Sequence, residues 1–177
     1  MTIYEAIRND HVKVTRLLDE LVRMNEGDAV REELIEQIRD ELIPHARAEE
    51  SILYNTLRSL DQSKDVVQHA YREHMEAESL LRLLQLKEKV DLDWKSTAIK
   101  LQQALSHHIQ EEESEVFAAA KKVITAEEAM MMGVAFERLK PEVREEGFVK
   151  TSMDLVANMM PPRFSASFRD SHFDLRK

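Results

Sequence analysis

The sequence contains no cysteine among its 177 residues, which excludes disulfides, thiolate nucleophiles, thiolate zinc sites and iron–sulfur clusters. Only three glycines and four prolines are present, so the chain has few residues that interrupt helices. The longest apolar stretch, residues 129–136, is much shorter than the roughly 20 residues that a membrane-spanning helix needs. These absences predict a soluble helical protein of one well-filled domain.

The charge of the chain points in the same direction. Charged residues make up 33% of the sequence and the formal net charge is −9, which disfavours non-specific binding to nucleic acid or to anionic membranes. An acidic chain also suits the uptake of cations, although acidic solvated helix faces are the commoner cause. The N-terminal segment MTIYEAIRND lacks the apolar core of a signal peptide. We therefore expect a cytoplasmic protein without a nucleic-acid or membrane partner.

Apolar residues spaced three and four apart predict four long helices. Their approximate ranges are 2–24, 28–60, 63–89 and 93–123. Thr2 with Glu5 forms a capping-box pattern at the start of the first helix. Gly27 lies in the predicted turn that follows this helix, and Pro44 is expected to bend or break the second helix.

The chain changes character after residue 123. Thr125 with Glu128 predicts a fifth helix, which runs to about Lys140 and ends, or gives way to another segment, at Pro141. The stretch from residue 161 onward lacks helical periodicity. The sequence thus predicts a bundle over residues 1–124, and a helix with an extended tail over residues 125–177 that packs on the bundle or on a partner.

Histidine and glutamate residues repeat along the chain with a fixed spacing. His11 and His45 are 34 residues apart, as are His74 and His108, and the second pair follows the first by 63 residues. A glutamate follows the second histidine of each pair at i+4. The repeated set of ligand-type residues is His11, His45, Glu49, His74, His108 and Glu112. Core positions repeat under the same offset: Leu18 and Leu81, Ile38 and Leu101, Leu42 and Leu105.

The connections between helices place these residues at one level. The midpoints between successive histidines of the set fall at residue 28, between residues 59 and 60, and at residue 91, which are in or beside the predicted turns. Residues equidistant from a turn lie at equal height in an antiparallel hairpin. We therefore predict an all-α, up-down-up-down antiparallel four-helix bundle with four histidines facing one axis. The two glutamates lie one turn away on the same faces.

A group of four imidazoles and two carboxylates calls for positive charge in the core. Burying them without partners costs several kcal/mol for each charged group, and the helix seams offer no basic residue. Imidazole and carboxylate without sulfur suit Fe, Mn, Zn, Co or Ni. Two carboxylates between two histidine pairs suit the bridging of two ions. The Glu-x-x-His spacing of ferritin-like di-iron bundles is absent at these histidines.

The segments around these residues resemble the hemerythrin-like family, also called the HHE cation-binding domain. The resemblance rests on His11, His45-Ala-Arg-Ala-Glu49-Glu50, His74 and His108-Ile-Gln-Glu-Glu112-Glu113, and covers about residues 2–123. It implies a four-helix bundle that holds two Fe ions in a non-haem centre bridged by carboxylates and by an oxo or hydroxo group. The four histidines would be terminal ligands, and Glu49 and Glu112 the bridges.

One departure from the family pattern concerns function. Oxygen-carrying hemerythrins have a further histidine one turn before His74, where this chain has Ala70, and the neighbouring His69 and Tyr71 point elsewhere on an ideal helix. The resemblance then implies an open position on the metal pair and reaction with peroxide, O₂ or nitric oxide, with catalase- or peroxidase-like chemistry favoured. The alternatives are an iron- or oxygen-binding, storage or sensing module without turnover, and a structural bundle whose tail docks a partner. No catalytic residue beyond the ligands, no organic cofactor and no redox donor is evident.

Two further residues are weaker candidates for the metal site. Glu78 follows His74 at i+4 and so lies on the same helix face. Tyr54 lies nearly opposite His45 on an ideal helix, so packing is its leading role, unless Pro44 distorts the helix and brings it to the metal.

The remaining polar residues near the motifs are expected to lie outside the site. Glu50 and Glu113 lie about 140° around the helix from the histidines and are expected to be solvated. His107 has its own i+4 carboxylate, but the repeat favours His108 as the ligand. The three methionines at 130–132 are expected to pack rather than to bind copper.

Overall fold

The computed structural model describes residues 1–25, 30–59, 64–86, 93–146, 159–161 and 163–164, without the side chains of 144–146. The helical elements in these ranges are α1 (Ile3–Arg23), α2 (Arg31–Glu49), a π-helical segment (Glu50–Tyr54), α3 (Asn55–Arg58), α4 (Lys64–Gln85), α5 (Trp94–Glu111), a second π-helical segment (Glu112–Val116), α6 (Phe117–Val123) and α7 (Ala126–Glu146). Within these ranges, no helix combines the length and apolarity needed to cross a membrane.

The helices α1, α2, α4 and α5 form the predicted four-helix bundle. Contacts run around a closed square, from α1 to α2, α2 to α4, α4 to α5 and α5 back to α1. The predicted seam residues Leu18, Ile38, Leu81 and Leu101 are buried together in one apolar cluster. The predicted turn at Gly27 and the other two connections of the bundle fall on residues 26–29, 60–63 and 87–92, outside the described residues.

Both predicted capping boxes are present. The hydroxyl of Thr2 accepts a hydrogen bond from the backbone N–H of Glu5 at 3.3 Å, and the Glu5 carboxylate accepts from the N–H of Thr2 at 2.8 Å. Thr125 and Glu128 exchange the same pair of bonds at the start of α7. These reciprocal bonds satisfy backbone donors that the first helical turn leaves unpaired.

Two π-helical segments interrupt the α-helical geometry directly beside the glutamates of the repeat. The second helix continues as α-helix through Pro44, so the irregularity is not at the proline but at Glu50–Tyr54. The second half has the same kind of segment at Glu112–Val116, although His107 stands at the position equivalent to Pro44. Single π-helical turns occur often at functional sites, and the repeat rather than the proline accounts for both.

The π-helical turns change which residues point inward. A π-turn contains one extra residue, so each side chain after it is displaced by about 100° from its α-helical position. Ala120 is therefore fully buried, whereas Ala119, which would follow Glu112 on the same face of a regular α-helix, is only partly buried.

The fifth helix covers one side of the bundle. α7 packs against α1 and α2, and its side chains Phe136 and Leu139 are buried. The helix does not end at Pro141 as predicted but continues to Glu146, because Val143 beyond the proline still belongs to the buried apolar cluster. Of the three methionines, Met132 is buried as expected for packing, whereas Met130 and Met131 are exposed, contrary to that expectation.

Part of the predicted tail also packs on the bundle. Met160 and Phe164 belong to the same buried cluster as α7. Residues 147–158, 162 and 165–177 of the predicted tail lie outside the described residues.

Gly133 sits where α7 meets the start of the chain. A Cβ atom at this position would lie 2.5 Å from the carbonyl oxygen of Met1 and 2.8 Å from the carbonyl carbon of Thr2. Because these are backbone atoms, Gly133→Ala is expected to lower the free energy of unfolding by about 1–3 kcal/mol, as overpacking does elsewhere. Urea denaturation measures this change.

The matched control for this prediction is Val134→Ala on the same helix. Val134 is exposed, so the control is expected to stay within about 0.5 kcal/mol of the unmodified protein. Equal stability of the two variants would show that α7 is not docked on the N-terminal residues.

Candidate metal centre

Six ligand-type side chains meet in the middle of the bundle. α1, α2, α4 and α5 each supply one histidine, and the two glutamates lie at the end of α2 and at the start of the second π-helical segment. All six are between 0% and 6% exposed, so bulk water does not solvate them. The residues are His11, His45, Glu49, His74, His108 and Glu112.

Each glutamate lies between histidines from both halves of the chain. Glu112 Oε2 is 3.1 Å from His11 Nε2 and 3.8 Å from His108 Nε2. Glu49 Oε2 is 3.5 Å from His45 Nε2 and 3.6 Å from His74 Nε2. The two glutamates therefore occupy equivalent positions, and each links one histidine of the first half to one of the second.

Several of these buried atoms have no hydrogen-bond partner. They are His11 Nε2, both carboxylate oxygens of Glu49, and Glu112 Oε2. The 3.1 Å approach of His11 Nε2 to Glu112 Oε2 lacks hydrogen-bond geometry. Buried polar atoms are almost always paired, and a metal cation between these atoms would pair all of them.

The donor atoms also satisfy the distance requirement for metal ions. One group consists of His11, His108 and Glu112, and a second of Glu49, His74 and His108; in each group the donor atoms lie within 4.8 Å of one another. His74 Nε2 and His108 Nε2 are 3.0 Å apart. The residues present thus fit a metal centre made of nitrogen and oxygen ligands.

Burial and neighbouring carboxylates shift the pKa values of His11, His45, His108 and Glu112. It lowers the pKa of His45 to about 3 and that of His108 to about 4, so both imidazoles are neutral near pH 7 and offer a lone pair. Burial also lowers the pKa of His11, but Glu112 and Glu113 outweigh it and raise that pKa overall. The pKa of Glu112 is raised by burial, and a bound cation would favour its ionised form.

Glu50 and Glu113 are not solvated, contrary to the prediction. Glu113 lies 2.9 Å from Nδ1 of His11, and Glu50 lies 3.0 Å from Nδ1 of His74. Their side chains are only 29% and 16% exposed. The prediction was wrong because it considered one helix at a time, whereas these carboxylates contact a histidine of a neighbouring helix.

Two acidic residues that the sequence analysis did not single out complete this arrangement. Asp10 lies 3.4 Å from Nδ1 of His45, and Glu73 lies 3.0 Å from Nδ1 of His108. The sequence contained one sign of their role: an acidic residue directly precedes both His11 and His74, so this position repeats at the same offset of 63 residues. All four imidazoles thus have a carboxylate on the far nitrogen, which fixes the ring orientation and makes the other nitrogen a better ligand.

Three of these four carboxylates also accept a hydrogen bond from a cationic side chain. The Arg8 side chain donates to Glu113 at 2.8 Å, Arg47 donates to Glu50 at 3.1 Å, and the Lys140 ammonium donates to Asp10 at 2.7 Å. Although burial alone would raise it, the pKa of Asp10 is held below its ordinary value by His45 and Lys140. The carboxylate therefore remains ionised while it holds the imidazole.

Tyr54 reaches the centre, although packing was its leading predicted role. Its hydroxyl lies 3.1 Å from Glu112 Oε1, to which it donates, and 3.5 Å from His74 Nε2. The π-helical segment that ends at Tyr54 turns it inward, which an ideal helix would not. The equivalent position in the second half is Phe117, so the centre has a phenol on one side only.

Glu78 does not reach the centre, so that candidate is wrong. Its carboxylate instead accepts hydrogen bonds from Arg47 and Arg82, each at 2.5 Å. His107 is exposed as expected, with 62% of its side chain accessible.

A surface cavity of about 290 Å³ lies between α4 and the second π-helical segment and borders the centre at Glu112. Its lining includes Ala70 and the buried Glu112, together with the more exposed His69, Glu73 and Glu111. Ala70 is the position at which the family's oxygen carriers have an additional histidine. The small side chain of Ala70 therefore forms part of the wall of a cavity that a small molecule can enter.

Comparison with known proteins agrees with the fold and the ligand pattern. A curated protein from Nostoc sp. named DNA nickase is 30% identical over 145 residues, which cover 82% of this chain and 41% of that protein. The chain therefore spans less than half the length of this relative.

A solved crystal structure shows the same fold. It is that of a hemerythrin HHE cation binding domain-containing protein from Mycobacterium kansasii, with a TM-score of 0.67 and 21% identity, covering 84% of this chain and 95% of that chain. The family model for the hemerythrin HHE cation binding domain matches residues 2–120. This chain is therefore a member of the hemerythrin HHE cation-binding family.

Proposed function

We propose that this protein holds two iron ions between its four histidines and two glutamates and that this centre disproportionates hydrogen peroxide. The observation that carries the proposal is the set of unpartnered, fully buried atoms of His11, Glu49 and Glu112, beside a cavity whose lining includes Ala70 and Glu112. Nitrogen and oxygen ligands without sulfur are suited to iron. O₂ and nitric oxide are further small ligands of the same site.

In this proposal the ligands form two equivalent sets. His11 and His45, whose ring centroids are 5.2 Å apart, would hold one ion. His74 and His108, with centroids 4.6 Å apart, would hold the other. Glu49 and Glu112, each placed between these two pairs, would bridge the ions.

The redox chemistry comes from the metal pair. When bound, two iron ions that change oxidation state would supply the electron transfer for the balanced reaction, in which two H₂O₂ give O₂ and two H₂O. The surrounding residues position the reactants. The small Ala70 side chain admits peroxide, and burial raises the pKa of Tyr54 well above its ordinary value, so its protonated hydroxyl holds Glu112 in place.

Nicking of DNA is not part of the proposal. That activity appears in the name of the Nostoc relative, and this chain covers only 41% of that protein's length. The net charge of −9 also opposes approach to a phosphate backbone.

The test is peroxide consumption by iron-loaded protein, followed with an oxygen electrode. We expect one O₂ for every two peroxides, as the balanced reaction requires, and no O₂ from protein stripped of metal. Iron-loaded protein that neither consumes peroxide nor reacts with O₂ or nitric oxide would contradict the proposal and support iron storage or sensing without turnover.

A further inference from the structure

The pseudo-symmetry of the centre is broken at its periphery. On the α4/α5 side, two histidine–glutamate pairs at i,i+4 spacing face each other across adjacent helices. This group, the outer cluster, consists of His69, Glu73, His107 and Glu111. At the positions 63 residues earlier the chain has Ala6, Asp10, Pro44 and Ala48, so only one acidic residue of the cluster has a counterpart.

The side that lacks the outer cluster is the side that α7 covers. The Phe136 ring lies 5.7 Å from the His45 ring, and Lys140 of the same helix binds Asp10. On the opposite side the cavity of about 290 Å³ is lined by His69, Glu73 and Glu111. The outer cluster therefore lies on the side of the centre that has the cavity, and it has no full counterpart on the side that α7 covers.

The outer cluster has the geometry of a metal site. His69 Nε2 is 3.0 Å from Glu111 Oε2, and His107 lies 2.9 Å from Glu73 Oε1 and 3.4 Å from Glu111 Oε1. The donor atoms of His69, Glu73 and Glu111 lie within 4.8 Å of one another. Ligand bonds of about 2.0–2.2 Å around a tetrahedral ion separate the donor atoms by roughly 3.3–3.6 Å, so a small adjustment would admit an ion.

Glu73 and Glu112 connect the outer cluster to the centre. Glu73 directs one oxygen to the cluster and the other to Nδ1 of His108, at 3.0 Å. Glu112, which is 1% exposed, lines the same cavity and has an oxygen without a hydrogen-bond partner. Glu112 is thus the ligand of the centre that the cavity contacts, and a cation that moves from the outer cluster to the centre would pass beside it.

We propose that the outer cluster binds one divalent transition-metal ion and passes it along the cavity to the buried centre. The binding stands on the geometry of His69, Glu73 and Glu111, with His107 as a neighbouring side chain that contacts both carboxylates. The transfer rests on the proposed function, because it requires the buried centre to take up metal.

The binding is tested with Co²⁺ on protein whose centre is already filled with iron. Equilibrium dialysis and the visible absorption of Co²⁺ are expected to show one additional ion per chain, lost in the double variant His69→Ala, Glu111→Gln. The matched control is Glu115→Gln, since Glu115 lines the same cavity but is not in the cluster. No additional Co²⁺, or equal binding by the double variant, would show that the cluster forms ion pairs only.

The transfer is tested by mixing metal-free protein with Fe²⁺ and following the absorbance of the loaded centre. We expect the double variant to load at least about tenfold more slowly and to reach the same final iron content, with Glu115→Gln close to the unmodified protein. Unchanged loading in the double variant would overturn the transfer. Equal slowing by Glu115→Gln would also overturn it, because the cavity would then only attract cations by its charge.

Failure of the proposed function gives a different result. In that case the unmodified protein takes up no iron in its centre, whereas Glu49→Ala protein, whose outer cluster is intact, still binds one Co²⁺ in the same dialysis. Absence of Co²⁺ from both proteins would overturn the outer site itself.

Discussion

Glu49→Ala and Glu112→Ala are each expected to retain far less than one iron ion per chain after loading and gel filtration. Each carboxylate lies between a histidine of the first pair and one of the second, within 3.1–3.8 Å of both. In the proposed centre each carboxylate bridges both ions, so its removal is expected to weaken the binding of both. Elemental analysis at equal protein concentration measures the loss.

Glu50→Ala and Glu113→Ala are the informative comparison. These carboxylates hold the far nitrogens of His74 and His11, and loss of such a partner typically costs about 10–100-fold in metal affinity. We expect these variants to lose iron during a chelator competition that the unmodified protein survives, yet to bind more than the Glu49 and Glu112 variants. Equal metal loss for Glu49→Ala and Glu50→Ala would contradict the bridging role. Glu33→Ala, on the exposed face of α2, serves as the neutral control.

Ala70→His is expected to reduce peroxide turnover by at least about tenfold and to give reversible O₂ binding in its place. The residue precedes His74 by one turn and lines the cavity that reaches Glu112. A histidine there would place its imidazole in the space that we assign to peroxide. It would also give the metal pair the additional histidine ligand that oxygen carriers of this family have. Turnover is measured with the oxygen electrode, and O₂ binding by the visible spectrum under argon and under air.

Ala70→Leu separates ligation from simple obstruction. Leucine fills similar space without a donor atom, so it should lower turnover without producing reversible O₂ binding. Ala70 is 3% exposed, and both variants need thermal melts to show that the bundle remains folded. Full peroxide turnover in Ala70→His would show that the substrate does not use this cavity.

The repeat in the sequence predicted the fold and the location of the centre because the ligands lie on the same helix seams as the core. Leu18 and His11 follow one seam, so the apolar periodicity that specifies the bundle also points the imidazole inward. The equal spacing on both sides of each turn then placed all four histidines at one level. These inferences needed only regular helices and short connections.

The parts that sequence analysis missed depend on departures from regular helices or on contacts between helices. Tyr54 and Ala120 point inward because of π-helical turns, which leave no clear mark in the residue pattern. Glu50 and Glu113 bind imidazoles of neighbouring helices, a relation that an analysis of single helices does not contain. The continuation of α7 beyond Pro141 reflects burial of Val143 against the bundle.

The metal content of protein purified from iron-supplied cells, with its absorption spectrum, tests the central claim most directly. The proposed set of four imidazoles and two bridging carboxylates predicts about two iron ions per chain, with near-ultraviolet absorption from an oxo-bridged ferric pair. One zinc ion per chain without that absorption would contradict the di-iron centre.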